Sequence, residues 1–260
     1  MPQGLGGPSA RHQRPAPLSA DARYARQVVM PTIGEAGQAL ISDSRVVVIG
    51  LGGLGTPAAT YLAGAGVGEL RLVDYDTVSL SNLHRQFLYR EDDVGQPKAE
   101  VAAERLRAYN PAIQVNTHTQ RLSDALFATL LPDAQIVLDC TDNFPTRFAI
   151  NAACARFGVP LVLGAGIGST GQLGVFRHDR KDSGCYRCLF DESGEVAEAC
   201  EDAGVFGPLV GMIGAWQAFE SLRLLIGESP AHSSWLHFAP ETRTIRHHQI
   251  PQDPACPCHV

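Results

Sequence analysis

The sequence predicts an α/β fold, with a Rossmann-like half continuing into a mixed sheet, and three observations carry that reading. A glycine fingerprint lies between two short apolar strands, a third apolar strand ends in a run of Asp, Thr and Asn, and two close cysteine pairs mark the second half. Arg45 to Ile49 is β-branched and bounded by glycine, the composition of a short buried strand. Gly50, Gly52 and Gly55 then spell G-x-G-x-x-G and lead into an Ala- and Leu-rich helix over Leu54 to Ala65. A second strand, Leu70 to Val73, ends in Asp74. Such glycines let backbone approach phosphates, the helix N-terminus offers unpaired N–H groups, and an acid after the next strand meets ribose hydroxyls. The pattern predicts a nucleotide site without saying which nucleotide.

Length and composition bound the rest. A chain of 260 residues that is 45% hydrophobic buries one large core or two modest ones. We expect one domain over 21–260, with the nucleotide-binding half at about 40–165 and the cysteines, an acidic loop and a C-terminal sheet at about 166–260. Net charge of -6 and a pI near 5.8 leave no basic surplus for nucleic acid or anionic membranes. The longest apolar run, Val205 to Trp216, is too short to span a bilayer. Residues 1–20 are rich in Pro and Gly and lack an apolar stretch, so they read as a disordered lead rather than a secretory signal, with an organellar transit peptide as the alternative. Two tight pairs among seven cysteines look like metal spacing and fit a reducing cytoplasm.

Arg23 and Arg26 flank Tyr24 ahead of a helix near Gly34 to Ile41, and on their own read as a solvated helix face. Tyr75 to Arg90 is a polar loop with a turn at Ser81 and Asn82; Asp76, Asn82, Arg85 and Gln86 crowd there beyond the second strand's carboxyl end, where ligands of open α/β sheets sit. Gln96 to Asn110 is a helix with Pro97 at its first position. Lys98 then lies in the first turn, where the macrodipole disfavours a cation; either a bound anion neutralises it or it snorkels into water. Ile136 to Leu138 is a further strand, followed by Asp139, Thr141, Asp142 and Asn143 and a helix from Phe144 to Phe157. Asn143 suits the N-cap of that helix, which leaves Asp142 for a hard cation or a second capping role. Leu161 to Leu163 and Gly174 to Arg177 read as strands joined by a Gly-rich link, and Pro208 to Ile226 as a largely apolar helix for a buried or dimer face. Trp235 to Phe238 and Thr242 to Arg246 read as a terminal hairpin.

Cys185-Tyr186-Arg187-Cys188 is C-x-x-C, and Cys256-Pro257-Cys258-His259 supplies a second compact group. Together they offer soft ligands for structural zinc, with Cys258 or His259 as the fourth. Leu189 to Gly204 is acidic and aperiodic, hence a mobile loop, and within it Glu198, Glu201 and Asp202 disfavour a thiolate at Cys200.

Assembled, these residues resemble the ThiF/MoeB/HesA family, bacterial relatives of ubiquitin-activating enzymes. The matching stretches are RYARQ, IGLGGLG, LVDYDTVSLSNLHRQFL, VGQPK, DCTDN, CYRCL, the AGVFGPLVG after Cys200 and a terminal cysteine pair, running from residue 23 to 258. The resemblance implies an ATP-dependent adenylyltransferase that activates the C-terminal glycine carboxylate of a small ubiquitin-like sulfur carrier ending in Gly-Gly, releasing pyrophosphate, in thiamin or molybdopterin biosynthesis. By position it implies that Gly50, Gly52, Gly53 and Gly55 cradle the phosphates and Asp74 takes the ribose. Asp76, Ser81, Asn82, Leu83, His84, Arg85, Gln86 and Lys98 line the nucleotide, and Asp142 holds magnesium beside Asn143. Arg26 would serve the other protomer of a homodimer, against the reading from its helix alone. Cys185, Cys188, Cys256 and Cys258 would bind zinc, the last departing from the family's usual C-x-x-C. Cys200 stands where some members carry a sulfur-transfer thiol, and a separate sulfurtransferase or cysteine desulfurase would supply the sulfur. Two rivals fit parts of the pattern: an NAD-dependent oxidoreductase and a non-catalytic nucleotide- and zinc-binding scaffold subunit.

Overall fold

Strands buried on both faces read as nearly continuous apolar runs, and such runs form the centre of one eight-stranded sheet. In the computed structural model, which describes residues 20–190, 204–228 and 230–259, the strands are β1 (Arg45–Ile49), β2 (Glu69–Val73), β3 (Gln114–His118), β4 (Ile136–Asp139), β5 (Leu161–Ile167), β6 (Thr170–Phe176), β7 (Ser234–Ala239) and β8 (Thr244–Gln249). Their order is β3-β2-β1-β4-β5-β6-β7-β8. The first five are parallel and the last three join antiparallel. Ile49 at the end of β1 pairs with Val73 on one side and Asp139 on the other. The strand order reverses there, which opens a crevice at the carboxyl ends of β1 and β4.

The helices are α1 (Ala20–Val28), α2 (Gly34–Ser42), α3 (Gly55–Ala65), α4 (Lys98–Tyr109), α5 (Asp124–Leu130), α6 (Phe144–Phe157), α7 (Tyr186–Leu189) and α8 (Gly207–Leu225). Alternation along β1 sends Val46 and Val48 into one core with residues of α3, α4 and α8, and Val47 and Ile49 into a second core with residues of α5 and α6. The parallel part of the sheet is therefore covered on both faces, whereas β8 is exposed along its length. Small residues set the distances: a Cβ at Gly214 of α8 would stand 2.2 Å from the Leu54 carbonyl oxygen, so α8 meets the start of α3 backbone to backbone. At the other end of α3, the Tyr24 ring fills the space where Gly66 has no Cβ (2.5 Å), and its hydroxyl accepts from Asn110 Nδ2 at 2.9 Å. That contact docks α1 at the end of α3 remote from the glycine turn.

Two local expectations change, and two elements are new. The Gly-rich stretch after Leu163 is not a link but strand: β5 and β6 form a hairpin turning at Gly168 and Ser169, and their glycines make room for α8. A Cβ at Gly164 would lie 2.4 Å from Gln217 Oε1, and one at Gly171 would lie 2.6 Å from Ile213 Cδ1. Pro97 is the N-cap of α4 rather than its first residue, so Lys98 opens the helix. β3 and α5 are not foreshadowed by any motif above, since β3 is an edge strand of mixed polarity, QVNTH. Among the described residues no helix is long and apolar enough to cross a membrane.

On β2, Arg71 donates to Glu69 Oε1 at 2.8 Å and to the two oxygens of Asp133 at 2.6 and 3.0 Å. These hydrogen bonds hold both carboxyls below their ordinary range. A carboxyl with a lowered folded pKa stabilises the fold above its unfolded pKa, about 4, and loses that contribution as pH falls through the folded value. Arg71→Met should therefore lower the melting temperature at about pH 7, with the deficit shrinking towards about pH 3.

Candidate active site

The crevice is built from the glycine turn upward. Gly50 has φ 88°, and a Cβ there would stand 2.8 Å from the Cys140 carbonyl oxygen; a Cβ at Gly55 would stand 1.9 Å from the Gly50 carbonyl oxygen. Both positions therefore require glycine. No side chain caps the start of α3; Thr56 N is taken by the Gly52 carbonyl at 3.1 Å and Pro57 has no amide hydrogen, so the turn amides ahead of Thr56 and the positive end of the helix dipole are what an anion would meet there. Asp74 holds the turn in shape: its Oδ2 accepts from Leu51 N at 2.7 Å and its Oδ1 from Asp76 N at 2.8 Å. Burial pushes its carboxyl up, opposed by the nearby Lys98 charge. Tyr89, buried behind the turn, donates to the Leu51 carbonyl at 2.9 Å.

Cationic groups approach this turn from two segments. The stem of Arg85 lies against Gly53, with Cγ and Cδ each 3.4 Å from where its Cβ would be. Its Nη1 donates to the Ser81 carbonyl at 3.1 Å and lies 2.7 Å from His84 Nε2. Lys98 is only 6% exposed, and Nζ donates to Asp76 Oδ2 at 3.1 Å. It does not snorkel; it points at the acids of the β2 loop. Asn82 Oδ1 accepts from Ser79 N at 3.2 Å, Ser81 Oγ lies 3.0 Å from Ser79 Oγ, and half-buried Leu83 packs on the core, so these residues shape the loop. Gln86 is buried beside Gly52, and its Oε1 has no partner among the described residues.

From β4, Asp142 stands exposed and accepts from Asn143 Nδ2 at 3.4 Å, while Asn143 Oδ1 caps α6 by accepting from Thr146 N at 3.0 Å. Arg26 is exposed on α1, which docks at the far end of α3 and so lies outside this group. The glycine turn, Asp74, Asp76, Arg85, Gln86 and Lys98 are brought together; Arg26 is not. Cys200 lies outside the described residues, but the chain re-enters view beside the site. A Cβ at Gly207 would be 3.1 Å from the His84 carbonyl oxygen and 3.4 Å from Arg85 Cβ.

On the α6 face of the sheet, ligand atoms of Cys185, Cys188, Cys256 and His259 all lie within 4.8 Å of one another. Cys258, named first by the sequence reading, is not in that group but lies against it, its thiol meeting Cys185 and the Asn151 amide (3.6 Å), so Cys258 and His259 both stand at the cluster. The cysteines form no disulfide; Cys185 Sγ lies 3.6 Å from Cys256 Sγ and 3.8 Å from Cys188 Sγ. Asn151 of α6 donates to Cys185 Sγ at 3.5 Å and accepts from Tyr186 N at 2.9 Å. Such N–H···S support is typical of a metal site's outer shell.

Sequence reasoning missed Tyr89, Arg147 and Asn151. Arg147, itself buried, donates from Nη2 to the Thr141 carbonyl at 2.8 Å, while buried Asp139 accepts from Thr141 N at 2.9 Å and Thr141 Oγ1 at 2.7 Å. Between them they fix the segment that carries Asp142. A signal was available: Asn143, Arg147 and Asn151 recur every four residues and so share one face of α6.

A glycine cradle at the switch point, bordered by an arginine, a buried lysine and paired acids, with a soft-donor cluster elsewhere in the chain, defines a nucleotide-binding α/β protein with a metal-type knuckle. The chain belongs to the ThiF family, whose model matches residues 24–258. It is 48% identical over 210 residues to the sulfur carrier protein ThiS adenylyltransferase of Escherichia coli K12, covering 80% of this chain and 83% of that one. It is 44% identical over 235 residues to the molybdopterin-synthase adenylyltransferase of the same strain, covering 90% and 94%. It is 40% identical over 241 residues to a sulfur carrier protein adenylyltransferase of Thermus thermophilus, covering 90% and 89%. The crystal structure of Escherichia coli MccB with MccA-N7isoASN shares the fold, with a TM-score of 0.81 at 23% identity over 93% of this chain and 75% of that one.

Burial pushes the Asp139 carboxyl up against the pull of the Arg147 guanidinium. Removing that guanidinium strands a buried acid and an unpaired carbonyl, so Arg147→Met should cost about 3 kcal/mol of stability by urea unfolding. Asp139→Asn, which keeps the acceptor for Thr141, should cost less.

Proposed function

We propose that this chain binds MgATP at the glycine turn and adenylates the C-terminal glycine carboxylate of a small ubiquitin-like sulfur carrier protein, releasing pyrophosphate. The relatives' activities support this reading. Within the chain, the observation that carries it is the convergence of Arg85 and Lys98, from separate segments, on the border of the glycine turn.

The chemistry asks for those residue types. A carboxylate is already a nucleophile at neutral pH, so no general base is required; the obstacle is bringing two anions together. Amides of the glycine turn hold phosphate oxygens, and Arg85 and Lys98 oppose the charge that builds on the transferred group. Lys98 is now paired with Asp76, and we propose that it exchanges that partner for a phosphate. Asp142, exposed beside Asn143, would hold magnesium, which neutralises phosphate charge when bound. Asp74 and Gln86 face the ribose side of the turn, where Gln86 Oε1 offers an acceptor to a hydroxyl. Ser81, Asn82, Leu83 and His84 form the phosphate-side wall.

Arg26 enters through a second copy. α3 is 11 residues, about 16 Å, long, and α1 is anchored at its far end, so Arg26 does not serve its own glycine turn. In a homodimer it would reach the partner's phosphates, and exposed Tyr61, Met212 and Phe219 on α3 and α8 offer apolar surface for pairing. Structural zinc on the cysteine cluster, a cytoplasmic setting and a separate sulfurtransferase or cysteine desulfurase complete the proposal. Thiamin and molybdopterin pathways are both open, since one relative of each kind is close. A dinucleotide oxidoreductase is disfavoured because a pyrophosphate held by the α3 start leaves Arg85, Lys98 and Asp142 without a role.

Exchange of labelled pyrophosphate into ATP, dependent on an added carrier ending in Gly-Gly, tests the reading. Arg85→Ala and Lys98→Ala should each lower exchange by roughly 30- to 1000-fold, the equivalent of about 2 to 4 kcal/mol in the transition state. A carrier lacking its terminal glycine should give none. Unchanged exchange in both variants overturns the assignment.

A further inference from the structure

The side chain of Gln217, on α8, is wholly buried, at 0% exposure, and both ends of its amide are bonded. Nε2 donates to the Asp139 carbonyl of β4 at 2.8 Å and to the Val162 carbonyl of β5 at 3.1 Å, and Oε1 accepts from the Cys140 thiol at 3.5 Å. One amide therefore bridges two strands at the carboxyl end of β4. A buried amide offsets its desolvation through such bonds, so what Gln217 adds over an apolar side chain is a fixed position for the chain it holds. That chain is the root of the Asp142 segment. Asp139 ends β4; its carboxylate accepts from Thr141 N and Oγ1, and Arg147 of α6 donates to the Thr141 carbonyl. Helix α6 thus grips the turn from one face of the sheet, and Gln217 grips its root from the other.

The same stripe of α8 bears on the phosphate side. Residues 207, 210, 214 and 217 follow at intervals of three, four and three, on one side of the helix. A Cβ at Gly207 would be 3.1 Å from the His84 carbonyl oxygen, one at Gly214 would be 2.2 Å from the Leu54 carbonyl oxygen, and Val210 Cγ2 lies 2.7 Å from where Gly53 would carry its Cβ. A single helix therefore sets the spacing between the glycine turn and the Asp142 segment. We propose that Gln217 is a positioning residue for the magnesium side of the nucleotide site: it ties the end of β4 to α8 and so holds the Asp142 carboxylate in register with the glycine turn. The inference rests on the MgATP reading above. Asp142 fits a hard cation, because it is exposed and meets Asn143 at 3.4 Å, whereas Asp139 in the same turn is buried and committed to Thr141. Magnesium on a nucleotide needs one or two carboxylates beside the phosphates and keeps water on its other positions.

ATP binding to the full chain, measured by calorimetry with and without Mg²⁺, tests this, since the ratio of the two affinities isolates what the metal contributes. Gln217→Met keeps the length of the side chain and removes the amide. It should leave metal-free ATP binding unchanged and cut the gain from Mg²⁺ about tenfold, the cost of losing an outer partner of a metal ligand. Asp142→Ala should cut the gain at least as far, and the double variant no further than Asp142→Ala alone, because Gln217 acts through that carboxylate. Arg71→Met, destabilised away from the crevice, should keep the full gain. An unchanged gain in Gln217→Met overturns the proposal, as does an equal loss in Arg71→Met or a double variant whose loss is the product of the two single losses. Cys140→Ala, a milder change that frees Oε1, should lower the gain by about threefold and decides the matter if Gln217→Met does not fold; an unchanged gain there then overturns the proposal. A wild-type chain that binds ATP no better with Mg²⁺ than without overturns the magnesium reading itself, and this inference with it.

Discussion

The carboxylate of Asp74 is the tie on which the rest of the crevice depends. By accepting the Leu51 amide at 2.7 Å and the Asp76 amide at 2.8 Å, it fastens the glycine turn to the loop that follows β2. That loop carries Arg85 against Gly53, and its Asp76 holds Lys98 from α4. One buried acid thus sets the relative position of three chain segments that sequence separates by tens of residues. Its burial works against ionisation and prevails, while the Lys98 charge and two backbone N–H groups reduce that cost.

A second organising element is α6. Its cap, Asn143, stands at the nucleotide crevice; one turn on, Arg147 grips the Thr141 carbonyl; a further turn on, Asn151 meets the cysteine cluster. The helix has almost no amphipathic simplicity of the surface kind, because one face is committed to polar contacts at three levels. Packing beside it is aromatic: Tyr186 lies 5.1 Å from Phe148, in the second turn of the helix, and 4.8 Å from Phe190 between ring centroids. Each of these polar contacts is made in one geometry, with the aromatic rings packed alongside.

The parallel half of the fold was legible because its strands are short β-branched runs and its punctuation is glycine. Arg45 to Ile49, Leu70 to Val73 and Ile136 to Leu138 all fall within observed strands. The β5–β6 hairpin was not, because Gly164, Gly166 and Gly171 look like loop in sequence and become strand only when α8 lies across them. Edge strand β3 lacks a pattern for the same kind of reason: a neighbour, not a propensity, makes it a strand. Within the crevice the glycines, Asp74, Arg85 and Lys98 were readable, whereas Tyr89 and Arg147 contribute through backbone carbonyls, which no residue spacing announces. At the cysteine cluster the sequence left Cys258 and His259 side by side as candidates, and both lie at the cluster in the fold.

The seat of α1 has its own consequence. The helix is located by one phenol ring filling the gap over Gly66, with the hydroxyl bonded to Asn110 and Gln27 reaching the Ala65 carbonyl at 3.1 Å. Gly66 is in turn the left-handed residue that ends α3, with φ 87°. A glycine at the opposite end of α3 from the glycine turn therefore leaves the space in which α1 is seated. Any larger residue at position 66 would meet the Tyr24 ring and the left-handed backbone at once, so it would unseat α1 while the glycine turn after β1 kept its own contacts.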